Sequence, residues 1–321
     1  MKILITGVTG FAGTHLANLL ADKLYNLELY GTYRHSGRNS LQEISKEVRL
    51  LECDVNYFQS VEQVIESVLP DLVFHFAAYV SVAKSFEQPA LTFQTNVIGT
   101  VNLLEAVKKA CRGAKILIPG SAEAYGKVEQ ANMPIKETQT LEPANPYGLS
   151  KVAQEMLGLY YFKAIGLSVY LTRTFHYTGP GQPLGFVCSD FAKQIAAIEK
   201  SNNDCQIKVG NLRAKRDFLD IRDVVTAYWE IAQKGSPGTI YNVCKGSSIS
   251  IEEILNTLLQ MSSCEISVKV TKDRLRPVDV PNFVGDNLRL KRETTWVPKI
   301  EMGASLRDLL NFWRSNLDGS R

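Results

Sequence analysis

The stretch TGVTGFAG, residues 6–13, follows the apolar run KILIT at 2–6 and opens an amphipathic run that reaches to about residue 24. Its glycines, Gly7, Gly10 and Gly13, let a chain turn sharply out of a strand and into a helix with its backbone bare of side chains. Unpaired N–H groups at the start of such a helix, together with the positive end of its dipole, suit the pyrophosphate of a dinucleotide. Thr9, Phe11 and Ala12, interleaved with the glycines, are the other candidates to touch a cofactor here. A glycine triplet alone is common in turns. Its position between the first strand and the first helix is what makes it a binding loop.

The alternation continues along the chain. LELYGTY (27–33), VRLLECDV (48–55), LVFHFAA (72–78), KILIPGS (115–121) and LSVYLTRTF (167–175) are strand candidates, with amphipathic stretches at 61–68 and 97–109 between them. Strands separated by helical crossovers pair in parallel and need helices on both faces. The expected fold is therefore α/β, a doubly wound (Rossmann) parallel sheet. After about residue 176 the rhythm gives way to Gly/Pro-rich loops and isolated helices, and TIYNVC (239–244) reads as one strand returning to the sheet. A smaller, discontinuous α/β substrate-binding domain is expected from this. Residues 1–176 with about 220–245 form the first unit, and about 177–219 with 246–321 the second.

Charge and cysteines narrow the class. The net charge is only +3, and LRAKR (212–216) and RLR (274–276) are short clusters rather than a long basic run, so no nucleic-acid partner is expected. No apolar run approaches the length of a membrane span, so no membrane is expected either. The six cysteines, Cys53, Cys111, Cys188, Cys205, Cys244 and Cys264, show no spacing that suits zinc, and they read as reduced thiols with no metal site. The chain opens directly on a strand with no room for a signal peptide. A cytoplasmic location is expected.

Three further segments carry chemistry. At the end of the second strand, where a dinucleotide-binding chain usually has an acid for the adenosine ribose, stand Tyr33 and Arg34. A guanidinium suits a 2′-phosphate and no carboxylate is there to repel one, so NADP(H) is favoured, with NAD(H) left open. Asp54 and Val55 after the third strand suit the adenine, and Phe76, Ala77 and Ala78 give the close approach to the cofactor that a fourth strand needs. In YGLSK (147–151) the i, i+4 spacing puts the Tyr147 phenol and the Lys151 ammonium on one helical face. A nearby cation favours the phenolate and is expected to bring Tyr147 toward a useful range. Between these segments, PGSAEAYG (119–126) holds Ser121 and Glu123 among small residues.

With these motifs in order, the chain resembles the extended short-chain dehydrogenase/reductase family over essentially its full length. The resemblance makes Tyr147 the acid/base, Lys151 the residue that holds the nicotinamide ribose and tunes the tyrosine, and Ser121 the partner of the reacting oxygen. Members act mainly on nucleotide sugars. RTFHYTGPGQPLGFV, VGNLRAKRDFLDIRD, YNVCKG and RLRPVDVPNFVGDNLRLKRETTWVPK are similar to the GDP-4-keto-6-deoxymannose reductases, relatives of the GDP-mannose 4,6-dehydratases. This likeness implies NADPH-dependent reduction of a GDP-4-keto-6-deoxyhexose to a GDP-rhamnose-type product. It implies that Arg216 and Arg276 bind the pyrophosphate and Asp279 the ribose diol. His176 stands where relatives usually have Asn, and is a candidate for a phosphate or sugar oxygen. Thr295 replaces the Gly of a usual TGW and reads as a surface change of no consequence. The family's habit implies a homodimer.

Two other readings stay open. Dehydration needs a base at C5 and an acid for the C6 hydroxyl besides the tyrosine. The dTDP-glucose dehydratases of the family carry Asp-Glu after the catalytic threonine, where this chain has Ala122 and Glu123. Ala122 can protonate nothing, but Glu123 leaves a dehydratase or epimerase activity open. A non-catalytic NADP-binding regulator is the reading outside enzymes, and the intact Ser121, Tyr147 and Lys151 argue against it.

Overall fold

The computed structural model describes residues 1–23, 26–34, 44–201, 205–271 and 281–317. Its first strands are β1 (Lys2–Thr6), β2 (Glu28–Tyr33), β3 (Val48–Glu52), β4 (Leu72–His75), β5 (Lys115–Ser121) and β6 (Ser168–Thr174). Shorter strands follow: β7 (His176–Thr178), β8 (Gln206–Val209), β9 (Lys215–Arg216) and β10 (Phe218–Asp220). The last are β11 (Ile240–Val243), β12 (Ile249–Ser250), β13 (Ser267–Val270) and β14 (Asn282–Phe283). The helices of the first half are α1 (Phe11–Lys23), α2 (Phe58–Val68), α3 (Val82–Glu87), α4 (Pro89–Phe93), α5 (Gly99–Ala110) and α6 (Pro146–Tyr160). Those of the second half are α7 (Val187–Ser201), α8 (Ile221–Lys234), α9 (Ile251–Gln260), α10 (Leu288–Thr294) and α11 (Met302–Ser315).

Seven strands form one sheet in the order β11-β6-β5-β4-β1-β2-β3, and every pairing in it is parallel. Chain order reverses between β1 and β4, which is where such sheets open a crevice for a ligand. The strands read as near-continuous apolar runs because both faces are covered. Within β1, Ile3 and Ile5 join the core shared with Leu16 and Leu20 of α1 and Val224 and Tyr228 of α8. Leu4, pointing the other way, joins Val64 and Ile65 of α2 and Leu103 and Val107 of α5.

A separate core gathers Phe191 and Ile195 of α7, Ile254 and Leu258 of α9, and Leu306, Leu310 and Trp313 of α11. Trp313 donates from its indole nitrogen to Ser189 Oγ at 2.9 Å, so the largest ring of this core has its one polar atom satisfied. The short strands are held by pairing and by a buried carboxylate rather than by local propensity. Asp217, fully buried between β9 and β10, accepts N–H groups from Lys245 (2.7 Å), Gly246 (2.9 Å) and Gly285 (3.2 Å). These bonds tie the loops after β11 and β14 to the chain beside Arg216, and β7 and β10 pair in parallel next to them.

Candidate active site

The glycine loop is shaped by contacts that no side chain could share. Gly7 has φ +68°, and a Cβ there would lie 2.8 Å from the backbone of Ala77. A Cβ on Gly13 would meet the Gly7 carbonyl oxygen at 2.5 Å. Gly10 is exposed at the turn itself, its N–H donating to the Gly7 oxygen at 3.0 Å. The loop thus presses against the segment after β4 and leaves its outer backbone bare at the start of α1. This fits a dinucleotide pyrophosphate. Thr9, Phe11 and Ala12 are half-buried beside it, and the Phe11 ring stacks on Tyr177 with centroids 5.9 Å apart.

The other cofactor candidates line the carboxyl ends of neighbouring strands. Arg34 is exposed directly after β2. Asp54 is half-buried and accepts the Asn56 N–H at 3.0 Å. Val55 is buried against Gly99, where a Cβ would lie 2.9 Å from Val55 Cγ2, and its carbonyl accepts from Asn102 at 2.8 Å. Phe76, Ala77 and Ala78 follow β4, all half-buried.

The start of α6 is fixed by its cap. Asn145 Oδ1 accepts the Gly148 N–H at 2.7 Å, and Pro146 takes the first helical position with its preset φ. The same Asn145 donates from Nδ2 to Glu123 Oε2 at 2.8 Å, while the Tyr147 N–H donates to Ser85 Oγ at 3.2 Å. Tyr147 is thereby set opposite the end of β5, close enough to the Ser121 hydroxyl for it to act on the phenol. Ser121, Glu123, Tyr147 and Lys151, four candidates from two distant stretches, are brought together.

Burial decides the protonation here. It pushes the Tyr147 phenol well above its ordinary value, Tyr177 and Glu123 push the same way, and only the Ser121 hydroxyl opposes them. It also pulls the Lys151 ammonium down to about 7. The expectation that Lys151 brings the phenol into range is therefore corrected for the protein by itself. The ammonium is 5.9 Å from the ring centroid, and desolvation outweighs it. Tyr147 stays protonated at neutral pH, the form a proton donor needs.

The substrate candidates divide. His176, at the start of β7, packs its ring on Phe218 at 5.5 Å and against Phe283 at 6.3 Å. Arg216 pairs with Phe283 in register, so His176 and Arg216 gather around one aromatic residue. Arg276 and Asp279 lie outside the described residues. Ala122 is 2% exposed in a core with Tyr125 and Phe175, so it contributes packing and no functional group.

Sequence reasoning passed over Asn145, Gln154 and Tyr177. The Asn-Pro pair just before Tyr147 is a helix-start signal that could have found the first. Tyr177, on β7, stacks on Phe11 at the start of α1, and nothing local marks it.

The model of the GDP-mannose 4,6 dehydratase family matches residues 4–309. GDP-6-deoxy-D-mannose reductase of Pseudomonas aeruginosa is 34% identical to the chain, covering 98% of both proteins. Human GDP-mannose 4,6 dehydratase is 26% identical, over 96% of this chain and 90% of its own. Among solved structures, RMD from Pseudomonas aeruginosa complexed with NADPH has a TM-score of 0.86 at 32% identity, covering 98% of this chain and 99% of that one.

Proposed function

The chain belongs to the GDP-mannose 4,6 dehydratase family, and from that premise we propose that it reduces the C4 ketone of GDP-4-keto-6-deoxy-D-mannose with NADPH. The product is a GDP-6-deoxyhexose of the rhamnose type. The observation that carries this reading is the nearness of Ser121 to the Tyr147 phenol, beside an Ala122 that is buried and inert.

Bound NADPH supplies the hydride, held by the glycine loop, Arg34, Asp54, the Val55 backbone and the segment from Phe76 to Ala78. Tyr147 delivers a proton to the nascent alkoxide, and Ser121 donates a hydrogen bond to the same oxygen. Lys151 holds the nicotinamide ribose. His176, Arg216, Arg276 and Asp279 bind the nucleotide sugar. Glu123, tethered by Asn145, orients substrate or water. A second reading, 4,6-dehydration with Glu123 as the C5 base, draws on the nearness of that carboxylate to Tyr147.

We also assign residues 1–176 and about 220–245 to the cofactor-binding unit and 177–219 and 246–321 to the sugar-binding unit. The sheet and the separate core around Trp313 support this division, although Leu290 and Trp296 pack with α1 and α8. A homodimer is proposed through α3, α4 and α6. These helices carry the exposed apolar side chains Phe86, Leu91, Leu149, Met156 and Tyr160. No helix among the described residues is long and apolar enough to cross a membrane, and six free thiols favour the cytoplasm.

The test is NADPH consumption with a panel of 4-keto nucleotide sugars and NMR of the products, on wild type and Tyr147→Phe. The GDP-4-keto-6-deoxy sugar is the expected substrate. The variant is expected to lose about 10²- to 10⁴-fold in rate and still bind NADPH. A variant within about tenfold of wild type would remove Tyr147 from the mechanism.

A further inference from the structure

We propose that Gln154 is a positioning residue for Lys151, holding the lysine in its charged form and in one orientation through a buried chain of hydrogen bonds that runs to His75. The inference rests on the reading of Lys151 as part of the active site.

The chain has one consistent direction. Thr100 has a single hydroxyl proton and donates it to the Asn96 carbonyl at 2.7 Å. Its oxygen must then accept from Gln154 Nε2 at 2.6 Å and from His75 Nε2 at 3.2 Å. His75 therefore carries its proton on Nε2, and its Nδ1 accepts from Thr6 Oγ1 at 2.8 Å. Thr6 Oγ1 in turn accepts the Ala77 N–H at 3.2 Å, beside the glycine loop. With the Gln154 NH₂ committed to Thr100, its oxygen is left facing Lys151 and accepts from Nζ at 2.8 Å. Flipping the amide would set NH₂ against an ammonium, so the orientation is locked.

Lys151, Gln154, Thr100, His75 and Thr6 are all buried. A lysine buried this deeply loses its proton unless acceptors hold it. Lys151 has two, the Pro119 carbonyl at 3.0 Å and the Gln154 amide oxygen, and its third N–H is left for a ribose hydroxyl. Burial drives His75 down to about 3, so the imidazole is a neutral anchor and carries no charge to or from the lysine.

Among the described residues no charged partner competes for this role. Around α6, β4 presents His75 and the turn after β5 presents Glu123, which Asn145 holds. On β6, Arg173 is paired with Glu155. On α5, Glu105 is bound to Lys108 and Tyr161, and Lys84 and Glu87 of α3 are exposed. On its own helix the titratable groups are Tyr147, whose burial keeps it neutral, and the buried Glu155 one turn on, which Arg173 takes.

The experiment is a titration of protein labelled with ¹³Cε-lysine and followed by NMR, the Lys151 resonance being identified by its loss in Lys151→Met. A hydrogen bond to a charged group corresponds to a shift of about one unit or more. Gln154→Leu should lower the Lys151 midpoint by about that amount, and Gln154→Glu should raise it by at least as much. The pH above which NADPH binding weakens should move in the same directions. Unchanged midpoints in both variants would overturn the inference. If only the glutamate variant folds, the absence of an upward shift overturns it. Should Lys151→Met keep full turnover, the reading of the site fails instead, and the two failures are thereby separated.

Discussion

Arg34 stands where dinucleotide-binding chains most often place an acid, and it is exposed at the end of β2. A carboxylate there would accept ribose hydroxyls and repel a 2′-phosphate, whereas a guanidinium fork does the reverse. NADPH is therefore expected to bind more tightly than NADH, and Arg34→Ala should erase the difference. Because the side chain is solvated, the loss should fall near the lower end of the range for a charged hydrogen bond, about tenfold in affinity. Fluorescence titration with both cofactors checks this. Equal affinities for the wild type would reduce Arg34 to a loop residue. At this scale the candidate site was legible wherever one short motif carries both the residue and its spacing, as with Ser121 and Tyr147–Lys151. Gln154 was not, because an uncharged side chain one turn beyond the lysine acquires its role only from Thr100 on another helix.

Thr295 closes α10 with φ +63° and its N–H on the Lys291 carbonyl at 3.0 Å. It is exposed, as the sequence implied, but its backbone is left-handed, where a β-branched residue is strained and glycine is not. The expectation of no consequence is corrected on that ground. Thr295→Gly should stabilise the protein by about 1 kcal/mol, the relief of strain exceeding the extra entropy glycine has when unfolded. Urea unfolding of the two proteins reads this directly, and an unchanged or lower midpoint would contradict it. The seven strands of the sheet could be read from sequence because each carries a short, largely apolar run, as parallel strands covered on both faces do. The two-residue strands β9, β12 and β14 could not. They exist because Asp217 and non-local pairing hold them, and a pair of residues has no periodicity.

Across the whole molecule, the glycine loop and Ser121 stand at the carboxyl ends of β1 and β5, Tyr147 starts α6 opposite Ser121, and His176 and Arg216 lie on short strands later in the chain. In the proposed reaction the Tyr147 phenol and the Ser121 hydroxyl serve one reacting oxygen, which is what ketone reduction needs. Next to Ser121 and Tyr147 the described residues place the tethered carboxylate Glu123, where loss of water needs a base and a separate acid. The proposed function therefore turns on direction, consumption of a 4-keto-6-deoxy sugar rather than its formation. The most direct measurement is a paired assay by mass spectrometry with the purified protein. One arm holds GDP-mannose and NADP⁺, the other GDP-4-keto-6-deoxymannose and NADPH. The account predicts no change of mass in the first arm and a gain of two hydrogens, with matching loss of NADPH, in the second. Loss of one water from GDP-mannose in the first arm, catalysed by this protein alone, would contradict it and make Glu123 a catalytic base.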